Sequence, residues 1–376
     1  MPTKNTDFVA LFHRWLSSID LVLIVSLIML IALGTAILFS ATGENEAMMN
    51  NHTIHLILAT LVMLIASQIP SEMLNRWSIW IYIIGIVLLV LVLVQGSMGK
   101  GAQRWIELGG LRFQPSEIMK LAVPMMVANY FSKKNLPPGF KDVFIASLLV
   151  LVPMLLIVKQ PDLGTALLVG AAGFFVIYFA GLPWKWLAAT AVSAMIAAPL
   201  IFYFGMHDYQ RQRVLTLFNP EADRLGSGYH IYQSTIAIGS GGVYGKGWLN
   251  GDQSRLDFLP ERHTDFIFAV FGEEFGLLGN IILFGLYIFI IWRGLYLATK
   301  GSDTFARLLG GSLSLTFFIY LLVNTGMVSG VLPVVGVPLP LISYGGTSLV
   351  TLMAAFGLLM GMRQRKKGYG ESSSIQ

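Results

Sequence analysis

The chain has no cysteine. That absence excludes a disulfide framework, a thiolate metal site and a cysteine nucleophile. Charge is scarce as well: Asp, Glu, Lys and Arg make up 12% of its 376 residues, half of the roughly 25% in an ordinary soluble domain. A net charge of +5 is too dilute for a nucleic-acid surface, and no basic run occurs outside the C-terminal tail. The six histidines are scattered. Only His52 and His55 fall at helical spacing, in a polar stretch unlike a zinc-binding helix. What is abundant is apolar: 55% of residues are hydrophobic and the mean hydropathy is +0.69. Length alone suggests two or three soluble domains. Runs such as 21–39, 79–94 and 281–292 are too apolar and too closely spaced to be their separate cores. The composition is that of a polytopic membrane protein.

A spanning helix needs about 20 mostly apolar residues, fewer where protein surrounds it. Ten segments qualify: 20–39, 54–69, 78–96, 117–132, 143–159, 163–180, 184–204, 265–293, 305–329 and 340–362. The expected fold is therefore an all-α polytopic membrane protein of ten transmembrane helices, with a large outer loop, 205–263, between the seventh and eighth. Residues 1–19 precede it as a cytoplasmic or interfacial helix, because Phe8, Leu11, Phe12, Trp15, Leu16 and Ile19 repeat at helical spacing. This segment reads as a retained anchor, not a cleaved signal. Residues 20–362 form one membrane domain, and 363–376 form a basic cytoplasmic tail. Orientation follows from Lys and Arg. With the N-terminus inside, the cytoplasmic side gathers Lys133, Lys134, Lys141, Lys185, Arg363, Arg365, Lys366 and Lys367, whereas loops 40–53 and 330–339 contain no Lys or Arg. Both termini are then cytoplasmic. The short outer loop 97–116 breaks the rule with Lys100, Arg104 and Arg112, which points to an anionic partner or to lipid headgroups on that face.

Charged groups inside spans are costly and mark function by default. Asp20 opens the first span as an interfacial group or helix cap, and Asp162 sits where a cap is expected. Glu117 and Lys120 share a helix face. Mutual neutralisation accounts for them, but the adjoining loop also delivers Arg104, Trp105 and Arg112 to that helix end. Together these groups suit a phosphate and a sugar: a fork for bidentate contact, a point charge and a ring to stack on. Asp265 opens the eighth span, where the helix dipole favours a carboxylate. The preceding Glu261-Arg262-His263-Thr264 is denser in polar groups than capping requires, and a carboxylate there can act as a general base. Glu273 lies about 12 Å deeper at 1.5 Å per residue, too far for a carboxylate dyad with Asp265. Glu273 and Glu274 are expected in a buried structural or coupling role. The run 239–247 is glycine-rich but lacks the Gly-Lys-Ser/Thr spacing of a phosphate loop. Residues 333–346, with Pro333, Gly336, Pro338, Pro340, Gly345 and Gly346, are expected to be partly non-helical and to border a groove.

Several strings carry a resemblance. Gly101-Ala102-Gln103-Arg104-Trp105-Ile106, Phe113-Gln114-Pro115-Ser116-Glu117 with Lys120, Gln160-Pro161-Asp162-Leu163-Gly164-Thr165, Leu259-Pro260-Glu261 through Phe266, and Pro340-Leu341-Ile342-Ser343-Tyr344-Gly345-Gly346 resemble the SEDS family of shape, elongation and division proteins. The run 253–261 looks more like its elongation branch than its division branch. The resemblance implies a peptidoglycan glycosyltransferase that polymerises lipid II on the outer face of the bacterial cytoplasmic (inner) membrane during elongation, maintaining rod shape by an inverting reaction. It implies Asp265 as the catalytic residue. It further implies Arg104, Trp105, Glu117, Lys120, Glu261, His263 and Ser343 as groups that bind substrate or pyrophosphate. No tightly bound cofactor is expected. A divalent cation, magnesium or manganese, could share the leaving group's charge, and its ligands are unknown. Expected partners are a class B penicillin-binding protein, lipid II, polyprenyl pyrophosphate, the elongation machinery and membrane lipid, but no nucleic acid. The rival readings are a flippase for the lipid-linked precursor and a non-catalytic scaffold.

Overall fold

The computed structural model describes residues 19–99, 102–108, 111–206, 208–218, 227–255, 259 and 261–363. Its helices are α1 (Leu21–Ala41), α2 (Glu46–Ala66), α3 (Ser71–Gln95), α4 (Pro115–Ser132), α5 (Phe140–Lys159), α6 (Leu163–Phe179), α7 (Trp184–Leu200), α8 (Asp208–Phe218), α9 (Ser227–Ser240), α10 (Asp252–Arg255), α11 (Ile267–Thr299), α12 (Thr304–Val328) and α13 (Gly346–Gly361). Every one of the ten expected spans falls on one of them. Among the described residues six helices, α1, α2, α3, α5, α11 and α12, are long and apolar enough to cross a membrane, and α6 and α13 are shorter apolar helices.

Helix starts are fixed by side chains that accept the orphan amides of a first turn. Asp20 accepts from Leu23 N–H, Asn45 from Met48, Asp162 from Thr165 and Asp303 from Ala306. Asp20 also receives Arg293 of α11 at 3.0 and 2.7 Å, and Arg363 at 3.4 Å. It is thus both a cap and a staple that ties the start of α1 to the C-terminal part of α11 and to Arg363 just beyond α13.

Two apolar clusters build the interior. One joins α1, α2, α9, α11, α13 and the segment 334–342; the other joins α3, α4, α5 and α6. Helix α12 supplies residues to both, and 67% of its spanning window is buried, against 17–39% for the other five long apolar helices. It is the central post, and α4, α6 and α11 pack on it. Outward faces of α1, α3, α5 and α11 expose Leu, Ile, Val and Trp, as lipid contact demands. Where helices meet, small residues let backbones close up: a Cβ on Gly357 would lie 2.3 Å from Met63 O.

The all-α expectation needs correcting. Strands β1 (Ser97–Gly99), β2 (Ala102–Leu108) and β3 (Leu111–Phe113) form an antiparallel sheet in the order β1-β2-β3. Leu108 pairs with Leu111, and the intervening Gly109-Gly110 is a two-residue hairpin signal. Boundaries also shift. Helix α2 starts at Glu46 and α3 at Ser71, earlier than 54 and 78, because Asn45 caps the first and Pro70 precedes the second. Helix α13 starts only at Gly346, not 340, since prolines at 338 and 340 deny the chain helical amides. Among its described residues the loop 205–263 holds three helices, α8, α9 and α10. The expected N-terminal helix through residue 18, the tail beyond Arg363 and the side chain of Arg112 lie outside the described residues.

Candidate functional site

Asp265 stands in the turn 261–266 that leads into α11. Tyr344 N–H donates to His263 O at 2.8 Å, Ser343 Oγ donates to Thr264 O, and Asn324 Nδ2 donates to Asp265 O at 2.8 Å. Three successive carbonyls of the turn are thus held from α12 and from the segment before α13. Asn324 is fully buried and spends its second amide hydrogen on Val337 O, 2.8 Å away, while Leu339 N–H donates to Ser343 Oγ. One asparagine and one serine therefore join the turn to the non-helical stretch 329–345. Glu261 takes a hydrogen bond from Thr264 Oγ1 at 2.8 Å and has a φ of +54°. His263 lies edge-on to Tyr344, whose other neighbour is His52. The Asp265 carboxylate lies beside Gly336: a Cβ there would come within 3.5 Å of Oδ2.

A basic pocket adjoins. Arg104, on β2, donates from Nη2 to Pro161 O and lies 3.7 Å from the Asp162 carboxylate, which also receives Gln114 Nε2 at 3.0 Å. Arg104 Nε is buried without a hydrogen-bond partner. Arg213, on α8, donates from Nη1 to Val334 O at 2.9 Å. Both guanidinium groups line one small pocket with Pro161, Leu163, Pro333 and Val335, and residue 335 leads directly into Gly336 beside Asp265. Two arginines and one carboxylate are therefore brought to the two flanks of one backbone segment. Trp105 follows Arg104 on β2, opposite Ser97 of β1, and the pleat aims it to the other face of the sheet.

Glu117 and Lys120 form a separate, interior group. Their ion pair spans 2.7 Å with both side chains at 6–7% exposure, and Lys120 Nζ stands 5.1 Å over the Tyr320 ring. Burial makes this pair depend on its own partners, because desolvated charges are tolerated only when matched. Glu117 Oε2 is left buried without a partner. The Glu117 residue borders an apolar cavity of about 550 Å³ between α2, α3, α4 and α13, lined also by His55, Trp77, Phe113 and Gly346. The expected convergence is thus only partial: Glu117 and Lys120 meet each other, and Arg104 engages the α5–α6 turn instead.

Residues 13–368 match the sequence profile of the FtsW/RodA/SpoVE family, described as "Cell cycle protein". This chain belongs to the SEDS family. Among its SEDS relatives is the peptidoglycan glycosyltransferase MrdB of Escherichia coli strain K12, 49% identical over 94% of this chain and 96% of the relative. A probable peptidoglycan glycosyltransferase FtsW of Geobacter metallireducens is 34% identical over 93% and 96%. Among solved structures, a chain described under structural coordination of polymerization and crosslinking by a peptidoglycan synthase complex superposes with a TM-score of 0.80, at 31% identity over 91% of this chain and 96% of that one. The rod shape determining protein RodA of Thermus thermophilus does so with a TM-score of 0.70, at 28% identity over 93% and 98%.

Arg213, Asn324 and Tyr344 escaped the reading of site residues from sequence. Arg213 looked like one more base in a long loop. Only an asparagine inside an apolar helix, a costly group in lipid, was a signal in its own right.

Proposed function

We propose that this chain polymerises lipid II into glycan strands during elongation and so maintains rod shape, as an inverting glycosyltransferase of the cytoplasmic membrane. The 49% identity to MrdB, against 34% to the FtsW relative, supports the elongation assignment. The observation that carries the chemistry is the placement of Asp265 beside Gly336, one residue beyond the pocket of Arg104 and Arg213. In this reading the ten helices all span, both termini are cytoplasmic, and the Asp265 end of the bundle faces outward.

The reaction then runs as follows. Asp265 takes the proton from the acceptor's 4-hydroxyl while that oxygen attacks the donor's anomeric carbon. The bond from that carbon to the pyrophosphate oxygen breaks, inverting the centre, and polyprenyl pyrophosphate leaves with the electron pair. Arg104 and Arg213 offer bidentate donors to its developing charge. The cavity between α2 and α13 receives a polyprenyl chain, and Glu117, on its wall, serves the substrate there. Trp105, Glu261, His263, Lys120 and Ser343 serve the same substrate, the last by fixing the Asp265 turn. A magnesium or manganese ion would arrive with the pyrophosphate, because such ions are commonly held by one or two carboxylates plus substrate phosphates. Among the described residues no three His, Asp or Glu side chains gather to hold one. The partner is a class B penicillin-binding protein, a reading supported by the likeness to the peptidoglycan synthase complex. A flippase would need charges along a transmembrane path, and Glu273, the candidate for that role, is fully buried and bonded to Lys246 and Gln253, which speaks against that rival.

The test supplies purified chain and its penicillin-binding partner with labelled lipid II. Glycan ladders are expected. No ladders, together with labelled precursor crossing liposomes that contain the chain, would replace this reading by the flippase.

A further inference from the structure

Helix α11 is broken at Gly276, whose φ of 62° and ψ of −160° lie outside the helical region. The carbonyls of Glu273 and Glu274 would normally accept from residues 277 and 278. Instead they accept from Lys246 and Gly247 N–H, both at 3.0 Å, while Leu277 and Leu278 N–H donate to Gly242 O at 3.0 Å and Val243 O at 3.1 Å. The glycine-rich run thus clips across the break and satisfies all four groups. The fit is backbone on backbone: a Cβ at 245 would lie 2.1 Å from Glu274 O, and one at 276 would lie 2.3 Å from Gly245 N.

Side chains lock the clip. Lys246 Nζ donates to Glu273 Oε1 at 2.8 Å, and Gln253 N–H donates to the same oxygen at 3.1 Å. Glu273 is fully buried. Ser40 of α1 donates to Glu274 Oε1. Between the clip and the Asp265 turn runs one short helical piece, in which Ile267, Phe268, Ala269, Val270 and Phe271 are all at most 5% exposed. A piece so enclosed moves as a unit, so its far end is set by where the clip holds its near end.

We propose that the Lys246–Glu273 pair is a positioning device for the polymerase reaction: by fixing the glycine clip on the broken helix it sets the aim of Asp265. The inference rests on Asp265 being the general base. Lys246 spends its ammonium on Glu273 and Asp252 and lies outside the proposed substrate groups, so its loss is expected to act on the geometry of attack, where misplacement by about 1 Å can cost 100-fold in rate.

The experiment measures kcat and KM for lipid II with the full chain and its penicillin-binding partner. For Lys246→Met, kcat is expected to fall at least about 10-fold with KM unchanged, and Lys246→Arg, which keeps a cationic donor, to restore most of it. Should Lys246→Met fail to fold, Glu273→Gln keeps an acceptor and loses the charge, and the same kcat-specific loss is expected. An unchanged kcat in the folded variant, or an equal loss in kcat and rise in KM that Lys246→Arg does not repair, would overturn the proposal. Asp265→Ala runs beside them: if it stays active, the general-base reading fails instead.

Discussion

Two breaks in helical backbone lie at the same end of this bundle, and they are mended differently. At Gly276 the orphaned amides and carbonyls are met by another stretch of backbone, and glycines at 241, 245 and 276 make the approach possible. In 329–345 the carbonyls of Val337 and Pro340 are met by side chains, Asn324 Nδ2 at 2.8 Å and Tyr287 Oη at 2.6 Å. At the first joint the broken helix and the glycine run pair backbone to backbone; the second lies against the arginine pocket and Asp265. A backbone mend leaves no room for a ligand, whereas a side-chain mend keeps the strand open along one edge. Irregular backbone at membrane depth is tolerated where protein or a polar cavity satisfies it, and this chain meets one break with backbone and the other with side chains.

The sharpest way to break the contrast is Gly245→Ala. Its Cβ would enter Glu274 O from a φ of +81°, so a loss of about 3 kcal/mol or more is expected, seen as a lowered thermal midpoint in detergent. A midpoint within one degree or so of wild type would mean that the clip does not hold the break. Asn324→Leu strikes the other mend. It leaves the carbonyls of Asp265 and Val337 without their donor, at roughly 1–3 kcal/mol each. Because the Asp265 turn loosens with it, polymerisation is expected to fall about 10- to 100-fold; equal activity would detach Asn324 from the site.

The smallest effect is one of pH. Burial pulls the Lys246 ammonium down, but its hydrogen bonds to Glu273 and Asp252 and their charges outweigh that and hold it above the usual lysine value. A raised folded value means stabilisation that is complete below the unfolded lysine value of about 10.4 and is lost as pH rises through the folded one. Thermal midpoints should therefore stay flat from neutral pH to about 10 and then decline. The decline should be weaker in Lys246→Met. An identical alkaline limb in both proteins would remove Lys246 from the joint's stability.

Much of the molecule was legible from its residues. Each apolar run coincides with a helix, and the prolines of 333–346 announced a non-helical stretch. The clip was not legible, because the glycines of 239–247 and their receptor at Gly276 carry no shared pattern; only their approach in space explains both. The sheet was missed because two of its three strands have only three residues and leave no periodicity, and the seven-residue strand between them was read as a loop rich in basic groups. At the site, Asp265 and Arg104 could be nominated from charge near a membrane surface. Arg213 could not, since nothing in the sequence tells which of six bases in residues 205–263 turns toward residue 334. Lys120 was expected beside Arg104 because helix register shows which residues share a face, not which loop returns to it.

The measurement that bears most directly on the whole is lipid II polymerisation by wild type and Asp265→Ala, each purified with the penicillin-binding partner and shown to be folded by its thermal midpoint. Glycan ladders from wild type and a loss of roughly 100- to 10,000-fold in the variant are predicted, the range expected when a general base is removed. Ladders of equal length and rate from both proteins would contradict the assignment of Asp265 as the base.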